Sequence, residues 1–362
     1  MLLYKNSHAY TIMDGNWYEE PSRFDEQYSI LLRRIIRNLS EDSRMPVLEL
    51  SRKLGVSRKT IHDKLAKAES ELGIKYVPEF NNQRLGLNSP HLIRIKFKKT
   101  PNYNEITRIL SASHIPQLAV TTKGTYDMFI YANTTTGSEY VHWDKRMQIM
   151  LSKYGAMWNS SDVAHMHLGF FPIRNELIEK TALDQQDKNI LKLLNTNSRM
   201  SFSDISKALG MHFNTVAYNF NKLVKEGYVK RFTLSADLPK NSSAMAIFSK
   251  YTMSESYESD SANSRLVYKT SGTEFPIINR YPIVLQLVGS SDVFIMGVLD
   301  DPKTAFSHVV TEYKRIFSHE DPKVEYGSIE RILLGRLPFR SVDTKAEYNT
   351  IKWTVEKAEM PE

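Results

Sequence analysis

The amino-acid sequence predicts an α+β protein in which one structural plan occurs twice. The first observation is an internal repeat: residues 43–61 align with 198–216 at an offset of 155, and seven of these 19 positions are identical. The second is helical spacing of apolar residues in each copy, interrupted by Leu-Gly. The third is a pair of Gly-x-x-Asp segments, 165 residues apart, each flanked by β-rich runs. A chain of 362 residues is longer than a domain with a single hydrophobic core usually is, so several domains are expected.

Bulk composition restricts the class of protein. The chain is 41% hydrophobic and 25% charged, has no cysteine and carries a net charge of +7. The lack of cysteine excludes disulfides, thiolate metal sites and cysteine nucleophiles, which fits a reducing cytoplasm. No apolar run approaches the roughly 18 residues of a membrane span. We therefore expect a cytoplasmic protein outside the membrane, and the positive charge favours an anionic partner.

The first copy predicts three helices followed by a β-hairpin. Gly55 breaks the chain between the second and third helices, where a left-handed backbone is easiest, and Ser57 is a suitable cap for the third helix. The segments 74–80 and 84–87 are expected to pair with each other as a wing. This order of elements is that of a winged helix-turn-helix. The helices are expected over 26–38, 46–54 and 58–71.

The basic residues of the first copy concentrate around the third helix. In a winged helix-turn-helix this helix fits the major groove, and its first turn meets base edges. From Ser51 to Lys67 there are six basic residues and a single acid, Asp63. This density favours phosphate contacts and a salt-dependent affinity for DNA. The alternative is a solvated helix face in a domain used only for packing. The predicted DNA-binding residues of this copy are Arg52, Lys53, Ser57, Arg58, Lys59, Thr60, His62, Lys64 and Lys67.

The second copy predicts the same elements with a different surface. Helices are expected around 190–194 and over 202–209 and 214–225, followed by a wing over 228–234. The window that matches the basic one holds two lysines and no acid, and its other polar side chains are mostly uncharged. Asparagine can pair with adenine edges, but an amide-rich helix also suits a protein contact, so both interpretations stay open. The predicted DNA-binding residues of this copy are His212, Asn214, Thr215, Tyr218, Asn219 and Lys222.

Each copy continues into a predicted βαββαβ domain. Gly124 to Asp127 and Gly289 to Asp292 have the composition of short hairpins between the second and third strands. This element order folds as a four-stranded antiparallel sheet with two helices on one face. In the first copy, strands are expected over 92–98, 117–121, 128–133 and 164–171, with helices over 104–112 and 138–154. In the second, strands are expected over 244–251, 283–288, 293–299 and 326–334, with a loop over 254–273 and a helix over 302–317.

With both copies placed, the chain resembles the Lrp/AsnC (feast/famine) transcription regulators over about residues 24–335. The resemblance is carried by the two Leu-Gly turns, the wings, the two Gly-x-x-Asp hairpins and Leu183-Asp184 ahead of a helix. It implies binding of double-stranded DNA, pairing through the sheet domains and an amino-acid-like effector near the hairpins. Two diverged units in one chain further imply an internal pseudo-dimer, a homo-oligomer or both. The effector residues implied by the resemblance are Gly124, Tyr126, Asp127, Gly289, Ser291 and Asp292.

The predicted fold class is therefore α+β, with two winged helix-turn-helix domains alternating with two ferredoxin-like (βαββαβ) sheet domains. The sheet domains are expected to serve effector binding or oligomerisation. The expected boundaries are an N-terminal extension over 1–23, winged helix domains over 24–89 and 183–236, sheet domains over 90–178 and 242–340, and a C-terminal helix and tail over 341–362.

Two other functions stay open at this stage. Siroheme decarboxylases resemble the same architecture, but the His-rich Tyr-Arg loop associated with them is not evident, and Asn279-Arg280-Tyr281 is a poor substitute. A sensor or scaffold without DNA contact fits the second copy better than the first.

His165 and His167 share a strand face, yet zinc normally needs three or four ligands. The sequence also lacks the phosphate-binding and nucleophile motifs of common enzymes, so it predicts a non-enzyme without metal or cofactor.

Overall fold

The computed structural model describes residues 11–13, 16–18, 30–237, 243–250, 283–291, 293–299 and 323–338, which form an α+β protein. The loop expected over 254–273, the helix expected over 302–317, the C-terminal helix and Asp292 lie outside these residues. Among the described helices, none is long and apolar enough to cross a membrane.

The described helices and strands include most of those predicted and four short ones that were not, over 11–13, 16–18, 175–178 and 337–338. The helices are α1 (Ile30–Glu41), α2 (Val47–Leu54), α3 (Arg58–Leu72), α4 (Tyr103–Ser111), α5 (Gly137–Leu151), α6 (Asn175–Ile178), α7 (Gln185–Thr196), α8 (Phe202–Leu209) and α9 (Phe213–Lys225). The strands are β1 (Thr11–Met13), β2 (Asn16–Tyr18), β3 (Lys75–Phe80), β4 (Ser89–Phe97), β5 (Pro116–Gly124), β6 (Met128–Thr134), β7 (Ala156–Leu168), β8 (Val229–Ala236), β9 (Ser243–Lys250), β10 (Ile283–Val288), β11 (Val293–Leu299), β12 (Lys323–Leu334) and β13 (Leu337–Pro338).

Each repeat begins with three helices around an apolar core. In the first repeat, the helical spacing predicted from sequence brings Ile35, Leu50 and Ile61 together, each fully buried. Gly55 ends α2 with a φ of +68°, and Gly210 ends α8 with a φ of +62°. Both glycines therefore adopt the left-handed conformation that the Leu-Gly motif predicts.

The wings depart from the prediction. Residues 84–87 were expected to pair with 74–80, but they form turns, and β3 pairs instead with β8 of the other repeat, from Lys75 opposite Ser235 to Phe80 opposite Val229. Hydrophobic burial explains the difference, because the apolar side chains after β3 enter the helical core of the second repeat. In return, Leu234 of β8 lies in the core of the first repeat. The two units are thus interleaved. The first-repeat residues in the second core include Phe80, Leu85 and Leu87.

The remaining eight strands close into one barrel, in the order β10-β11-β9-β12-β5-β6-β4-β7. Within each repeat the spatial order is second, third, first and fourth strand, and the neighbouring strands are antiparallel as predicted. The two sheets are not separate layers, because β12 pairs with β5 and β10 pairs with β7. Closure pairs the edge strands of one repeat with those of the other.

The barrel has an apolar interior to which both repeats contribute. Phe129 and Tyr131 of the first repeat lie in it with Phe248 and Phe294 of the second, and the rings of Phe129 and Phe294 are 5.5 Å apart, edge to face. A second apolar cluster lies between the outside of the first sheet and the helices α4 and α5. The first sheet is therefore covered by apolar side chains on both of its faces.

Candidate nucleic-acid interface

The two winged helix units meet at the repeated Ser-Arg-Met segment. The side-chain oxygens of Ser43 and Ser198 lie 2.8 Å apart, and both residues are fully buried. The Ser43 N–H donates to the carbonyl oxygen of Phe232 at 2.8 Å, and the Ser198 N–H donates to that of Tyr76 at 2.9 Å. Equivalent residues therefore make equivalent bonds across a pseudo-two-fold axis.

Two arginines extend this symmetry. The Arg44 guanidinium donates to the carbonyl oxygen of Ser198 and, at 3.1 Å, to that of Met200. Arg199 donates in the opposite sense to the carbonyl oxygens of Ser43 and Met45, at 2.8 and 3.3 Å. Burial lowers the pKa of Arg44 below its ordinary value, and the nearby Arg199 lowers it further. These bonds fix the position of one unit against the other.

The surroundings of the two arginines differ. The Arg44 guanidinium lies over three aromatic rings of the second unit, with its central carbon 4.9 Å from the centroid of Phe220, whereas Arg199 lies 5.1 Å from the ring of Tyr76. Cation–π attraction adds to the hydrogen bonds at such distances. The other two rings near Arg44 are Phe202 and Phe232.

Helix α3 presents the predicted basic surface. Ser57 caps it by accepting a hydrogen bond from the Thr60 N–H at 3.1 Å. Ile61 and Ala68 face the core, so the opposite face of α3 is turned to solvent. Lys67 is exposed and lies 3.8 Å from Glu71, which partly offsets its charge. Two of the predicted DNA-binding residues of the first copy, Thr60 and Lys64, are half-buried. The exposed ones are Arg52, Lys53, Ser57, Arg58, Lys59, His62 and Lys67.

Helix α9 exposes fewer of its predicted DNA-binding side chains than the sequence predicts. Asn219, expected to be exposed, is only 8% exposed, because it faces Gln186 of α7. Lys222 forms an ion pair with Asp187 at 2.8 Å, and the hydrogen bond to this carboxylate raises the pKa of the Lys222 ammonium. The predicted residues that are exposed are His212, Asn214, Thr215 and Tyr218.

Sequence reasoning missed Phe213, whose side chain is at the exposed start of α9. It is 48% exposed, although its ring also lies 6.1 Å from that of Phe202, edge to face. The repeat itself contains a signal for it, because the offset of 155 aligns Phe213 with Arg58. Apolar residues at helical spacing usually indicate a core, so Phe213 was not singled out.

The Gly-x-x-Asp hairpins lie at the junctions between the two repeats of the barrel. In the first, Asp127 accepts a hydrogen bond from the Phe97 N–H at 2.8 Å and pairs with Lys96 at 2.6 Å. Tyr126 is buried, and its hydroxyl donates to the Glu325 carboxylate. Gly124 stands against β12, where an added Cβ would lie 2.3 Å from the carbonyl oxygen of Tyr326.

The second hairpin holds a buried charged network that the sequence did not indicate. Arg94, with its side chain 2% exposed, pairs with Asp162 at 2.8 Å and Glu325 at 3.2 Å, and donates to the Ser291 hydroxyl at 2.7 Å. Asp162 also accepts from the Ser290 N–H at 2.6 Å. The charged groups thus bind one another across the junction of the repeats. Gly289 approaches the Asp162 carboxylate as closely as Gly124 approaches β12.

Within the described residues, no cluster of three or more His, Asp or Glu side chains is arranged to hold a metal ion. The side chains of His165 and His167 lie outside the described part of the chain.

An exposed, capped third helix with basic residues in its first turn defines a winged helix DNA-binding protein. The model of the AsnC-type helix-turn-helix domain matches residues 33–69, and the model of the winged helix-turn-helix DNA-binding family matches residues 183–230. The transcriptional regulator FL11 of Pyrococcus abyssi is 31% identical over 108 residues, which cover 30% of this chain and 71% of FL11. The chain belongs to the Lrp/AsnC family of transcription regulators.

Other relatives match more narrowly or by fold alone. The uncharacterized regulator PH0140 of Pyrococcus horikoshii is 43% identical over 53 residues, 15% of this chain, and the chain spans about a third (34%) of that relative's length. The crystal structure of the siroheme decarboxylase NirDL has a TM-score of 0.51 and 13% identity, covering 84% of this chain and 92% of its own. At that identity, the likeness shows a shared fold that extends through both repeats.

Proposed function

We propose that the protein is a sequence-specific transcription regulator that binds double-stranded DNA as an internal pseudo-dimer. In this proposal two winged helix-turn-helix domains, over 24–89 and 183–236, alternate with two ferredoxin-like sheet domains, over 90–178 and 242–340. The observation that carries it is the exposed first turn of α3, with Arg58 and Lys59, on a unit joined to its counterpart by the Ser43–Ser198 contact.

The chemistry of α3 suits a DNA major groove. Guanidinium and ammonium groups release counterions when they meet phosphates, and arginine pairs with guanine O6 and N7 in the groove. Arg52 and Lys53, exposed in the last turn of α2, supply further positive charge on the neighbouring helix. The interleaved strands β3 and β8 join the two units, so one molecule carries both α3 and α9, as contact with two successive grooves requires.

Direct binding tests this proposal. Duplexes of about 30 base pairs, enough for three turns of DNA, are selected from a random pool with the intact protein. Fluorescence anisotropy then compares a selected duplex with its scrambled version. We expect the selected duplex to bind at least about 1,000-fold tighter, with affinity falling steeply as salt rises. Equal affinity for both duplexes would show that the protein binds DNA without sequence specificity.

An amino-acid-like effector at the hairpins stays a prediction from the family resemblance. An effector there would have to compete with the contacts that Tyr126, Asp127 and Ser291 already make. Thermal unfolding in the presence of each of the twenty common amino acids provides the test. A bound effector raises the melting temperature further as its concentration increases, whereas twenty unchanged curves would count against such an effector.

The fold shared with NirDL supports an enzymatic alternative, since that likeness extends through both repeats. Incubation of the purified protein with an iron tetrapyrrole distinguishes the enzyme from the regulator. A stoichiometric change in the tetrapyrrole absorbance spectrum would favour the enzyme, and an unchanged spectrum favours the regulator.

A further inference from the structure

The two recognition helices occupy equivalent places but carry different side chains. At the offset of 155, Phe213 of α9 replaces Arg58 of α3, and Asn214 replaces Lys59. In the next turn, Tyr218 replaces Asp63. All six of these side chains are exposed to solvent, Phe213 to 48% and Tyr218 to 69%. The surfaces offered to DNA are therefore unlike in charge and in polarity.

The α3 surface favours phosphates and G·C pairs. The guanidinium of Arg58 and the ammonium of Lys59 are donors, and the acceptors that they match in the major groove are guanine O6 and N7. Their positive charges also attract the phosphate backbone from any sequence.

The α9 surface favours A·T pairs. The Asn214 amide has the donor and acceptor needed for adenine N6 and N7, and an exposed aromatic ring such as Phe213 can contact the thymine methyl group. The segment of α9 from Phe213 to Asn221 has no lysine or arginine, and Lys222, which follows it, is held by Asp187. About half of the Phe213 side chain stays in water although its ring also contacts Phe202, and the exposed half gains no stabilisation from burial.

The fold makes this asymmetry unavoidable. A homodimer presents two identical helices to two identical half-sites. Here Leu234 of the second repeat lies in the first core, while Phe80, Leu85 and Leu87 of the first repeat lie in the second core. Each molecule therefore presents one α3 and one α9 in a fixed relation.

We propose that the chain reads a non-palindromic operator with two unlike half-sites about one helical turn apart. Arg58 and Lys59 contact a half-site that contains G·C pairs, and Phe213, Asn214 and Tyr218 contact an A·T-rich half-site. This inference rests on the proposed function, because it requires that the chain bind duplex DNA.

Symmetrised duplexes test the inference. The sequence selected from the random pool is divided at its centre, and each half is duplicated as an inverted repeat to give two palindromes. We expect the original duplex to bind about tenfold or more tightly than either palindrome, because each palindrome mismatches one helix. A palindromic selected sequence, or a palindrome that binds as well as the original, overturns the inference and leaves DNA binding intact. A pool that yields no enriched duplex removes the proposed function as well.

Substitutions on α9 assign the half-sites. Phe213→Ala with Tyr218→Ala should lower discrimination at the A·T-rich half by about tenfold while leaving the salt dependence unchanged. Val224→Ala is the matched control, because Val224 is 40% exposed in the last turn of the same helix. Circular dichroism confirms that each variant is folded. Unchanged base preference in the folded double variant would overturn the assignment of α9.

Discussion

The side-chain oxygens of Ser43 and Ser198 lie 2.8 Å apart in the buried centre of the molecule, although 155 positions separate these residues in the chain. This contact gives the internal repeat a physical meaning. Ser-Arg-Met recurs because it forms both sides of one interface, where the arginines donate to carbonyl oxygens of the opposite copy. Identity between the repeats thus reflects packing, whereas the recognition helices differ at their exposed positions.

Replacement of Arg44 should destabilise the protein more than replacement of Arg199. Each change leaves two carbonyl oxygens without their donor, at a cost of about 2 kcal/mol. Arg44→Ala also removes a cation from three aromatic rings, whereas Arg199→Ala removes it from one, which adds about 1 kcal/mol to the effect at Arg44. Urea unfolding measures both variants against the exposed Arg84→Ala. A cost at Arg44 no larger than at Arg84 would contradict the interface described above.

Loss of Arg94 should be among the most damaging single changes in the barrel. Arg94→Met removes the cation that pairs with the fully buried carboxylate of Asp162, and such removal costs about 3–5 kcal/mol. Lys96→Met is a control on the same strand, because its ion pair with Asp127 is partly exposed and is expected to contribute below about 1 kcal/mol. The free energy of unfolding in urea distinguishes them. If both variants lose the same stability, the network does not join the two repeats as inferred.

Stability should fall as the pH decreases from about 6.5 to about 4 because of His91. Its ring stacks on Tyr140 with centroids 3.5 Å apart, and burial lowers the pKa of His91 to about 4 despite the nearby Asp144. The unfolded chain therefore takes up the proton at a higher pH than the folded protein does. The resulting loss is about 2–3 kcal/mol at the acidic end.

His91→Phe keeps an aromatic ring beside Tyr140 and removes the titrating group. Unfolding free energies of this variant and of the wild type are measured at several pH values across that range. Because only the wild type has the titrating ring, the difference should shift by about 2–3 kcal/mol in favour of the variant as the pH falls. Parallel curves would mean that His91 is not buried as a neutral ring.

Local signals predicted much of the fold. The helical spacing and the Leu-Gly turns place α1, α2 and α3 correctly within the described residues, because their core contacts and caps lie within a few residues of one another. The Gly124 and Gly289 hairpins follow from equally local turn chemistry.

Contacts distant in sequence were not predictable in the same way. The partner of β3 is β8, which lies about 150 residues away, whereas the segment after β3 offered a nearer but wrong partner. Arg94 was missed because a charged residue in a strand ordinarily indicates a solvent-facing position, and its carboxylate partners come from two other strands. Asn219 was predicted to be exposed to solvent, because the sequence of this amide-rich helix does not indicate that Gln186 lies beside it.

The salt dependence of DNA binding tests the central claim most directly. Affinity of a selected duplex is measured by anisotropy at several salt concentrations for the wild type, for Arg58→Ala with Lys59→Ala, and for Lys98→Ala with Lys99→Ala. The last pair removes the same charge from exposed positions after β4 of the barrel. We predict that loss of Arg58 and Lys59 weakens binding about 100-fold and lowers the salt slope by about 1.8, while the control stays near the wild type. Wild-type affinity and slope in the Arg58, Lys59 variant would contradict DNA recognition by α3.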